Sequence, residues 1–257
     1  MSKGNRQHFY GTLEKGLKVL SLFDQKHSSL SLKDVTEMTG INKSTAFNIV
    51  NTMVELGFLS KVEQTKQIKV GPRGIILSHN LMSGHYAMKV VQKFISYTSA
   101  RHKLSIYAVI LENRTLISQF VGEAFDYFDI ISAPLEKLGY CTALGKALLA
   151  YLPETDRDDI IKDLEFEKRT ERTIMNRHDL IADLDRTKNK GYAVNNEEYL
   201  QGIISIAAPF FNLRENRPIG AVCFDFSTRE YSLQRAEQDY VTILFKLARD
   251  ISESIPS

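Results

Sequence analysis

The sequence predicts a mixed α/β protein of two domains, a small helical domain followed by a larger α+β domain. Its 257 residues are enough for two domains of ordinary size, and 43% hydrophobic with 25% charged residues is typical of soluble globular proteins. Apolar residues recur at helical spacing up to about residue 101, and from Leu104 they alternate with a period of two. The change of period places the start of the sheet near Leu104.

Charge is distributed unevenly between the two parts. Residues 1–80 carry 11 Lys and Arg against 6 Asp and Glu, a net charge of +5, whereas residues 81–257 carry 22 against 25, a net charge of −3. A basic N-terminal part suits an anionic partner such as nucleic acid. No apolar run reaches 18 residues and the polar start is not a signal peptide, so we expect a cytoplasmic protein with no membrane partner.

The first predicted helix spans residues 12–25. Leucine and phenylalanine recur along it at helical spacing, which predicts one apolar face formed by Leu13, Leu17, Leu20 and Phe23. We expect this helix to brace the two helices that follow.

Residues 31–53 predict two short helices joined by a tight turn. Ser31 is expected to cap the first helix, and Asp34 to complete a capping box. Gly40 supplies the positive φ needed just past the helix end, and Asn42 is expected to cap the second helix. The predicted inward residues of the first helix are Leu32, Val35 and Met38.

The second of these helices has two different faces. One is apolar and predicted to pack inward, with Ala46, Ile49, Val50 and Met53. The other combines one cation with uncharged hydrogen-bonding side chains: Lys43, Ser44, Thr45, Asn48 and Asn51. Such a mixture suits phosphates and base edges in a DNA major groove, although a solvated face is the alternative for any single helix.

A hairpin follows, with a polar turn at 61–65 and a return strand near Val70. Helix, turn, helix and hairpin in this order predict a winged helix-turn-helix, with Lys61, Lys66 and Lys69 on the wing near the DNA backbone. The candidate DNA-binding residues are Ser31, Asn42, Lys43, Ser44, Thr45, Asn48, Asn51, Lys61, Lys66 and Lys69.

The remaining chain predicts a linker and an α+β domain. We divide the sequence into a DNA-binding domain at 1–71, a linker helix and hinge at 72–86, and a second domain at 87–257. The predicted strands are 104–111, 115–121, 127–132, 192–194, 203–211 and 219–226, and the predicted helices are 142–151, 154–164, 176–191 and 233–251. This order favours an antiparallel sheet with helices on its faces and ends, a layout that commonly leaves a small-molecule pocket.

Metal and cofactor chemistry has little support. Cys141 and Cys223 lie far apart without a CxxC spacing, and the six histidines show no HxxxH or HExxH pattern. We therefore predict two free, buried thiols, no metal site and no cofactor.

Three stretches together resemble the IclR-type transcriptional regulators. The first is GTLEKGLKVLSLFDQ followed by SLKDVTEMTGINKSTAFNIVNTMVELGFLSK and KVGPRGIIL, the second is CTALGKALLAYLP, and the third is GYAVNNEEYLQGIISIAAPFFN with PIGAVCFDFS. They occur in the family's order and spacing, and the likeness extends from about Gly11 to Ser254.

The resemblance implies a repressor or activator that binds duplex operator DNA as a dimer, often as a dimer of dimers. It also implies a GAF- or profilin-like effector domain that responds to a small organic acid or aromatic catabolite. Carried over by motif position, the effector-binding residues are Tyr140, Ala143, Leu144, Asn195, Ser205, Cys223 and Asp225. This chain departs from the family at Asn48, where arginine is frequent, at Tyr140, where histidine is common, and at Asn195, where aspartate occurs.

The residues themselves suggest how such a site works. A helix beginning near Thr142 directs free N–H groups outward, which suits a carboxylate, whereas Asp225 repels an anion unless it is protonated or faces a ligand hydroxyl. Lys146 is expected to make a salt bridge within the domain. Two alternatives stay open: a small-molecule enzyme using Cys223 beside Asp225, and a winged helix that binds protein or RNA.

Overall fold

The computed structural model describes residues 9–24, 27–122 and 132–255. The chain divides into two compact units, Met1–Gly84 and His85–Ser257. The elements of the first unit are α1 (Gly11–Leu20), α2 (Leu32–Thr39), α3 (Lys43–Glu55), β1 (Leu59–Lys61), β2 (Ile68–Val70) and α4 (Pro72–Gly84).

Local capping chemistry fixes α2 and α3. The Ser31 hydroxyl accepts a hydrogen bond from the Asp34 amide, and the Asp34 carboxylate accepts one from the Ser31 amide, which is the predicted capping box. Gly40 has a φ of 68° at the end of α2, and the side chain of Asn42 accepts a hydrogen bond from the Thr45 amide. The predicted tight turn and both caps are confirmed.

The prediction for α1 was wrong in its extent and in part of its face, although Leu20 and Phe23 pack against the core as predicted. The helix ends at Leu20, because the amides that follow Ser21 bond three residues back, Leu22 to Val19 and Phe23 to Leu20, and tighten the chain into turns. Its buried residues are Gly16 and Val19, whereas Leu13 and Leu17 are exposed. Gly16 lies against the side chain of Met53, so a close approach of α1 to α3 sets the inward face.

The β wing is a short antiparallel hairpin. Leu59 pairs with Val70 and Lys61 with Ile68, and an isolated bridge joins Leu30 to Ile68. Leu59 and Ile68 are buried under the helices, so the wing is anchored to the core of this unit. One inward prediction for α2 was wrong: Met38 is exposed, because that helix buries only Val35 fully.

The second unit is a six-stranded sheet with helices on both faces. Its helices are α5 (Tyr86–His102), α6 (Leu135–Leu138), α7 (Ala143–Tyr151), α8 (Glu154–Lys162), α9 (Arg177–Lys190) and α10 (Leu233–Ser254). Its strands are β3 (Ser105–Glu112), β4 (Thr115–Val121), β5 (Ser132–Pro134), β6 (Ala193–Asn196), β7 (Ile203–Asn212) and β8 (Arg217–Ser227). The order is β5-β4-β3-β8-β7-β6, and every neighbouring pair is antiparallel.

The alternation of side chains along the strands separates two cores. Helices α5 and α10 pack on the face that carries Ile106, Ile206 and Phe224. Helices α6 to α9 pack on the opposite face, which includes Ala207 and Cys223. Polar residues among the inward positions of this second face create the cavity described below.

Some predicted boundaries shift and others lie outside the description. Strand β6 begins and ends later than the predicted 192–194, and most of the predicted strand at 127–132 falls on residues the structure does not describe. Helix α4 covers most of the predicted linker, but the assignment of 72–86 as linker and hinge stays a prediction. Of the helices in the described parts of the chain, none has both the length and the apolar character needed to cross a bilayer.

Candidate functional site

Helix α3 presents a polar surface away from the core of the first unit. Ala46, Ile49 and Val50 are buried, while Lys43, Ser44 and Asn48 are exposed on the other side. Thr45 and Asn51 are half-buried at the edges of this surface. The predicted two-faced helix is therefore present.

The wing extends this surface. The ammonium group of Lys61 donates a hydrogen bond to the side-chain oxygen of Asn51 and lies 5.2 Å from the centre of the Phe47 ring. Lys66 has a φ of 57° in the hairpin turn, and Lys69 is exposed on β2. Lys61 of the wing thus lies beside the outward face of α3, and Lys66 and Lys69 are exposed on the same hairpin.

Two of the candidate DNA-binding residues have structural roles at helix starts. The side chain of Ser31 caps α2 and that of Asn42 caps α3. Their role in contacting DNA stays a prediction. Phe47, which the sequence analysis did not select, is 48% exposed on α3.

The second unit contains a small cavity between the sheet and the N-terminal end of α7. It has a volume of about 20 Å³, room for about one water molecule. The lining residues come from β3, α7, β6, β7, β8 and the turn that precedes β7: Tyr107, Thr142, Ala143, Leu144, Asn195, Tyr199, Leu200, Ile203, Ser205, Cys223 and Asp225.

The polar wall of the cavity is a row of residues across adjacent strands. Asn195 pairs with Ser205, and Ser205 pairs with Asp225. All three side chains are more than nine-tenths buried. Ser205 lines the cavity, where its hydroxyl can accept a hydrogen bond from, or donate one to, a molecule inside.

The opposite wall is the start of α7. Thr142 caps this helix, with its hydroxyl accepting a hydrogen bond from the Gly145 amide. The amides of Ala143 and Leu144 occupy the first turn, where helical N–H groups have no partner within the helix. Together with the positive end of the helix dipole, they favour a negatively charged group.

The turn at residues 197–202 covers the cavity. Glu197 has a φ of 61°, and its carboxylate accepts a hydrogen bond from the Gly202 amide at 2.9 Å. The Glu198 amide donates to the side-chain oxygen of Asn195 at 2.8 Å, and Thr173 donates to the Glu198 carbonyl. These bonds hold Tyr199 and Leu200, which follow in the turn, against the cavity.

A buried ion cluster ties this turn to α7 and α9. The ammonium group of Lys146, fully buried, lies 2.8 Å from a Glu198 oxygen and 2.9 Å from an Asp183 oxygen. Burial raises the pKa of Glu198 more than Lys146 lowers it. Burial also acts to raise the pKa of Asp183, but Lys146 and Arg186 together outweigh it and the pKa falls. The predicted salt bridge of Lys146 is confirmed, although the lysine is not at the surface.

The thiol of Cys223 is poorly suited to nucleophilic chemistry. Burial and the neighbouring Asp225 carboxylate, 3.6 Å from the sulfur, raise its pKa well above the ordinary value. A thiol held protonated is a weak nucleophile. Burial likewise raises the pKa of Cys141 to about 12, and both cysteines are free and buried. These facts weaken the enzyme alternative.

The structure brings together six of the seven effector-site candidates: Ala143, Leu144, Asn195, Ser205, Cys223 and Asp225. Tyr140 does not line the cavity, because its hydroxyl bonds both the amide and the carbonyl of Glu167 and its ring packs on Phe166. The sequence analysis missed Tyr107, Tyr199, Leu200 and Ile203. Among the described residues, no cluster of three His, Cys, Asp or Glu side chains is arranged to hold a metal ion.

A helix-turn-helix with a β wing, joined in one chain to an α+β unit with a polar cavity, defines a DNA-binding transcriptional regulator with an effector-binding domain. Two family models match the chain. The IclR helix-turn-helix domain matches residues 12–63, and the bacterial transcriptional regulator IclR C-terminal domain matches residues 136–253. The chain belongs to the IclR family of transcriptional regulators.

Individual proteins agree with this assignment. The HTH-type transcriptional regulator XynR of Escherichia coli is 24% identical over 221 residues, which cover 82% of this chain and 84% of that protein. The IclR transcriptional regulator of Alicyclobacillus acidocaldarius has a similar structure, with a TM-score of 0.82 at 21% identity, covering 96% and 99% of the two chains. An IclR homolog of Microbacterium hydrocarbonoxydans, solved in complex with 4-hydroxybenzoate, has a TM-score of 0.77 at 19% identity, covering 94% and 98%.

Proposed function

We propose that α3 and the wing recognise a specific duplex DNA sequence. We also propose that a small acid, bound in the cavity of the second unit, changes the affinity of the protein for that DNA. The observation that carries the first part is the outward face of α3, where Lys43, Ser44 and Asn48 are exposed opposite a buried apolar face. Lysine supplies phosphate contacts, and serine and asparagine supply hydrogen bonds to base edges. Lys61 and Lys69 on the wing add backbone contacts.

Selection of duplexes from a random pool tests this part. We expect enrichment of a palindromic site with half-sites about one or two helical turns apart, bound specifically at moderate salt. Binding that is lost above low salt and independent of sequence would contradict it. Preferential binding to RNA or to a protein would favour the other uses of a winged helix.

A dimer is part of this proposal. Helix α4 has no buried residue, and Ile75, Ile76 and Leu81 on it are 60%, 57% and 66% exposed. Leu13 and Leu17 of α1 are also exposed. Large apolar residues exposed in such number on one helix are typical of association surfaces, and a palindromic site requires two copies. We propose that a second copy covers them, that dimers pair further, and that the protein acts on DNA in the cytoplasm.

The effector we propose is a small hydroxy acid. Its carboxylate would lie at the amides of Ala143 and Leu144, and its hydroxyl would donate to Asp225, which relieves the repulsion between Asp225 and an anion. Ser205 is placed to bond either group. The Microbacterium homolog binds 4-hydroxybenzoate, a compound with both groups, which supports this class. Since the cavity holds about 20 Å³, binding must widen it, with Tyr199 and Leu200 moving.

Matched pairs of compounds test the effector class. We expect lactate or 4-hydroxybenzoate to raise the thermal unfolding temperature, because a ligand that binds the native state stabilises it. Propionate and benzoate, which lack the hydroxyl, should raise it less. Equal effects of the members of each pair, or no effect of any acid, would contradict the proposed class.

A further inference from the structure

A large apolar side chain lies within the polar face of α3. Phe47 is 48% exposed and is not among the buried residues that form the hydrophobic core of the first unit, within the residues the structure describes. It follows Lys43 and precedes Asn51 by one helical turn each, so the three side chains lie on one side of the helix. An exposed phenylalanine among these polar side chains is placed to contact a partner outside the unit.

The surroundings of Phe47 favour DNA as that partner. Between Lys43 and Val54, helix α3 carries no acidic residue, and the ammonium group of Lys61 lies over the Phe47 ring. The ring is therefore bordered by cations and amides, which suit a polyanion with hydrogen-bonding base edges. An apolar protein partner would have to bury these lysines without compensation.

Only one DNA base offers an apolar group to such a ring. Thymine carries a methyl group in the major groove, and phenylalanine is among the side chains that contact it. We propose that Phe47 contacts the methyl group of a thymine in the recognised sequence and thereby selects thymine at that position. This inference rests on the proposed insertion of α3 into the major groove.

Deoxyuridine tests the contact, since it differs from thymidine only by the missing methyl group. Duplexes are first selected from a random pool with the wild-type protein, and each thymine in the protected site is then replaced singly by deoxyuridine. For the wild-type protein we expect one replacement per half-site to weaken binding about three- to fivefold, the effect of losing one buried methyl group. Phe47→Ala should bind the thymine and deoxyuridine duplexes equally.

Two variants control for indirect effects. Met38→Ala removes an equally apolar side chain, 46% exposed on α2, and should keep the wild-type discrimination between thymine and uracil. Phe47→Leu keeps part of the apolar contact and should show an intermediate ratio. Because Phe47 is outside the core, we expect Phe47→Ala to unfold at the wild-type temperature.

The outcomes separate this inference from the proposed function. Specific binding that no deoxyuridine replacement weakens, a selected site without thymine, or full discrimination by Phe47→Ala would overturn the role of Phe47 and leave the DNA-binding function intact. Failure to select any sequence would overturn both.

Discussion

The ammonium group of Lys146 lies 2.8 Å from the carboxylate of Glu198, with the lysine side chain wholly buried. This pair joins the first turns of α7 to the turn at 197–202, which are two walls of the cavity. Asp183 of α9 is the second carboxylate on the same ammonium group. The cluster thus fixes the geometry of the proposed effector site.

Removing the cation should destabilise the second unit strongly. Lys146→Met leaves the buried Glu198 carboxylate without its cation, while Asp183 keeps only Arg186, and this should cost about 3–5 kcal/mol of unfolding free energy. Urea unfolding followed by tyrosine fluorescence measures this, because most tyrosines belong to the second unit. The control is Lys246→Met, at an exposed pair with Asp250, where we expect less than about 1 kcal/mol.

The pH dependence of this variant provides a second check. Burial raises the pKa of Glu198, and without Lys146 nothing nearby opposes that effect as strongly. A carboxyl group whose pKa is raised in the folded state binds a proton more readily there than in the unfolded chain, so protonation stabilises the folded state. The loss of unfolding free energy in Lys146→Met, relative to the wild type, should therefore shrink as the pH falls from 7 towards 5. A loss below about 1 kcal/mol at pH 7 would contradict the account of the cluster.

The Asp34 capping box should make α2 sensitive to acid. Hydrogen bonds from Ser31 hold the pKa of Asp34 below its ordinary value. A depressed pKa contributes stability that is fully present above the unfolded value and is lost as the pH falls through the lowered value. Asp34→Ala should therefore lower the hydrogen-exchange protection of α2 amides at neutral pH, and the difference from the wild type should vanish in acid.

Asp34→Asn is the matched control for this effect. Asparagine can still accept the bond from the Ser31 amide but does not titrate. In Asp34→Asn, the hydrogen-exchange protection of the α2 amides should exceed that in Asp34→Ala. This protection should not fall in acid as it does in the wild type. Equal protection of the wild type and Asp34→Ala at neutral pH would show that the box adds nothing to α2.

Lys43 and Asn48 of α3 should contribute to DNA binding in different ways. Lys43→Ala should weaken binding to all duplexes alike and lower the salt-dependence slope by about one, as expected for a lost phosphate contact. Asn48→Ala should relax preference at one base position, by about 1–3 kcal/mol, with little change in the slope. Fluorescence anisotropy with selected and mismatched duplexes at several salt concentrations measures both quantities. Identical behaviour of the two variants would remove this assignment of roles.

The helix caps and the tight turn were predictable from the sequence, whereas the close packing of one helix against another was not. The caps at Ser31 and Asn42 and the turn at Gly40 follow from residue types with one strong backbone preference. The buried face of α1 depends on Gly16 meeting Met53, and a glycine contact leaves no trace in apolar periodicity. Leu13 and Leu17 were therefore predicted to face the core, whereas both are exposed on α1.

Only part of the cavity lining was predictable from the sequence. Ser205, Cys223 and Asp225 follow from strand alternation combined with the family motifs. Tyr199 and Leu200 belong to a turn whose shape depends on distant partners such as Thr173, so spacing along the chain could not place them. Phe47 was missed because it belongs to neither the apolar face nor the polar face that the sequence analysis assigned to this helix.

The most direct test of the account measures coupling between the two units. The affinity for a selected duplex is determined by anisotropy with and without a stabilising hydroxy acid, in the wild type and in Ser205→Val, which removes the hydroxyl and occupies the small cavity with methyl groups. We predict that the acid changes the wild-type Kd at least about fivefold, that DNA changes the Kd of the acid by the same factor, and that Ser205→Val shows neither effect. An unchanged Kd for DNA at saturating acid would contradict the claim that the cavity controls DNA binding.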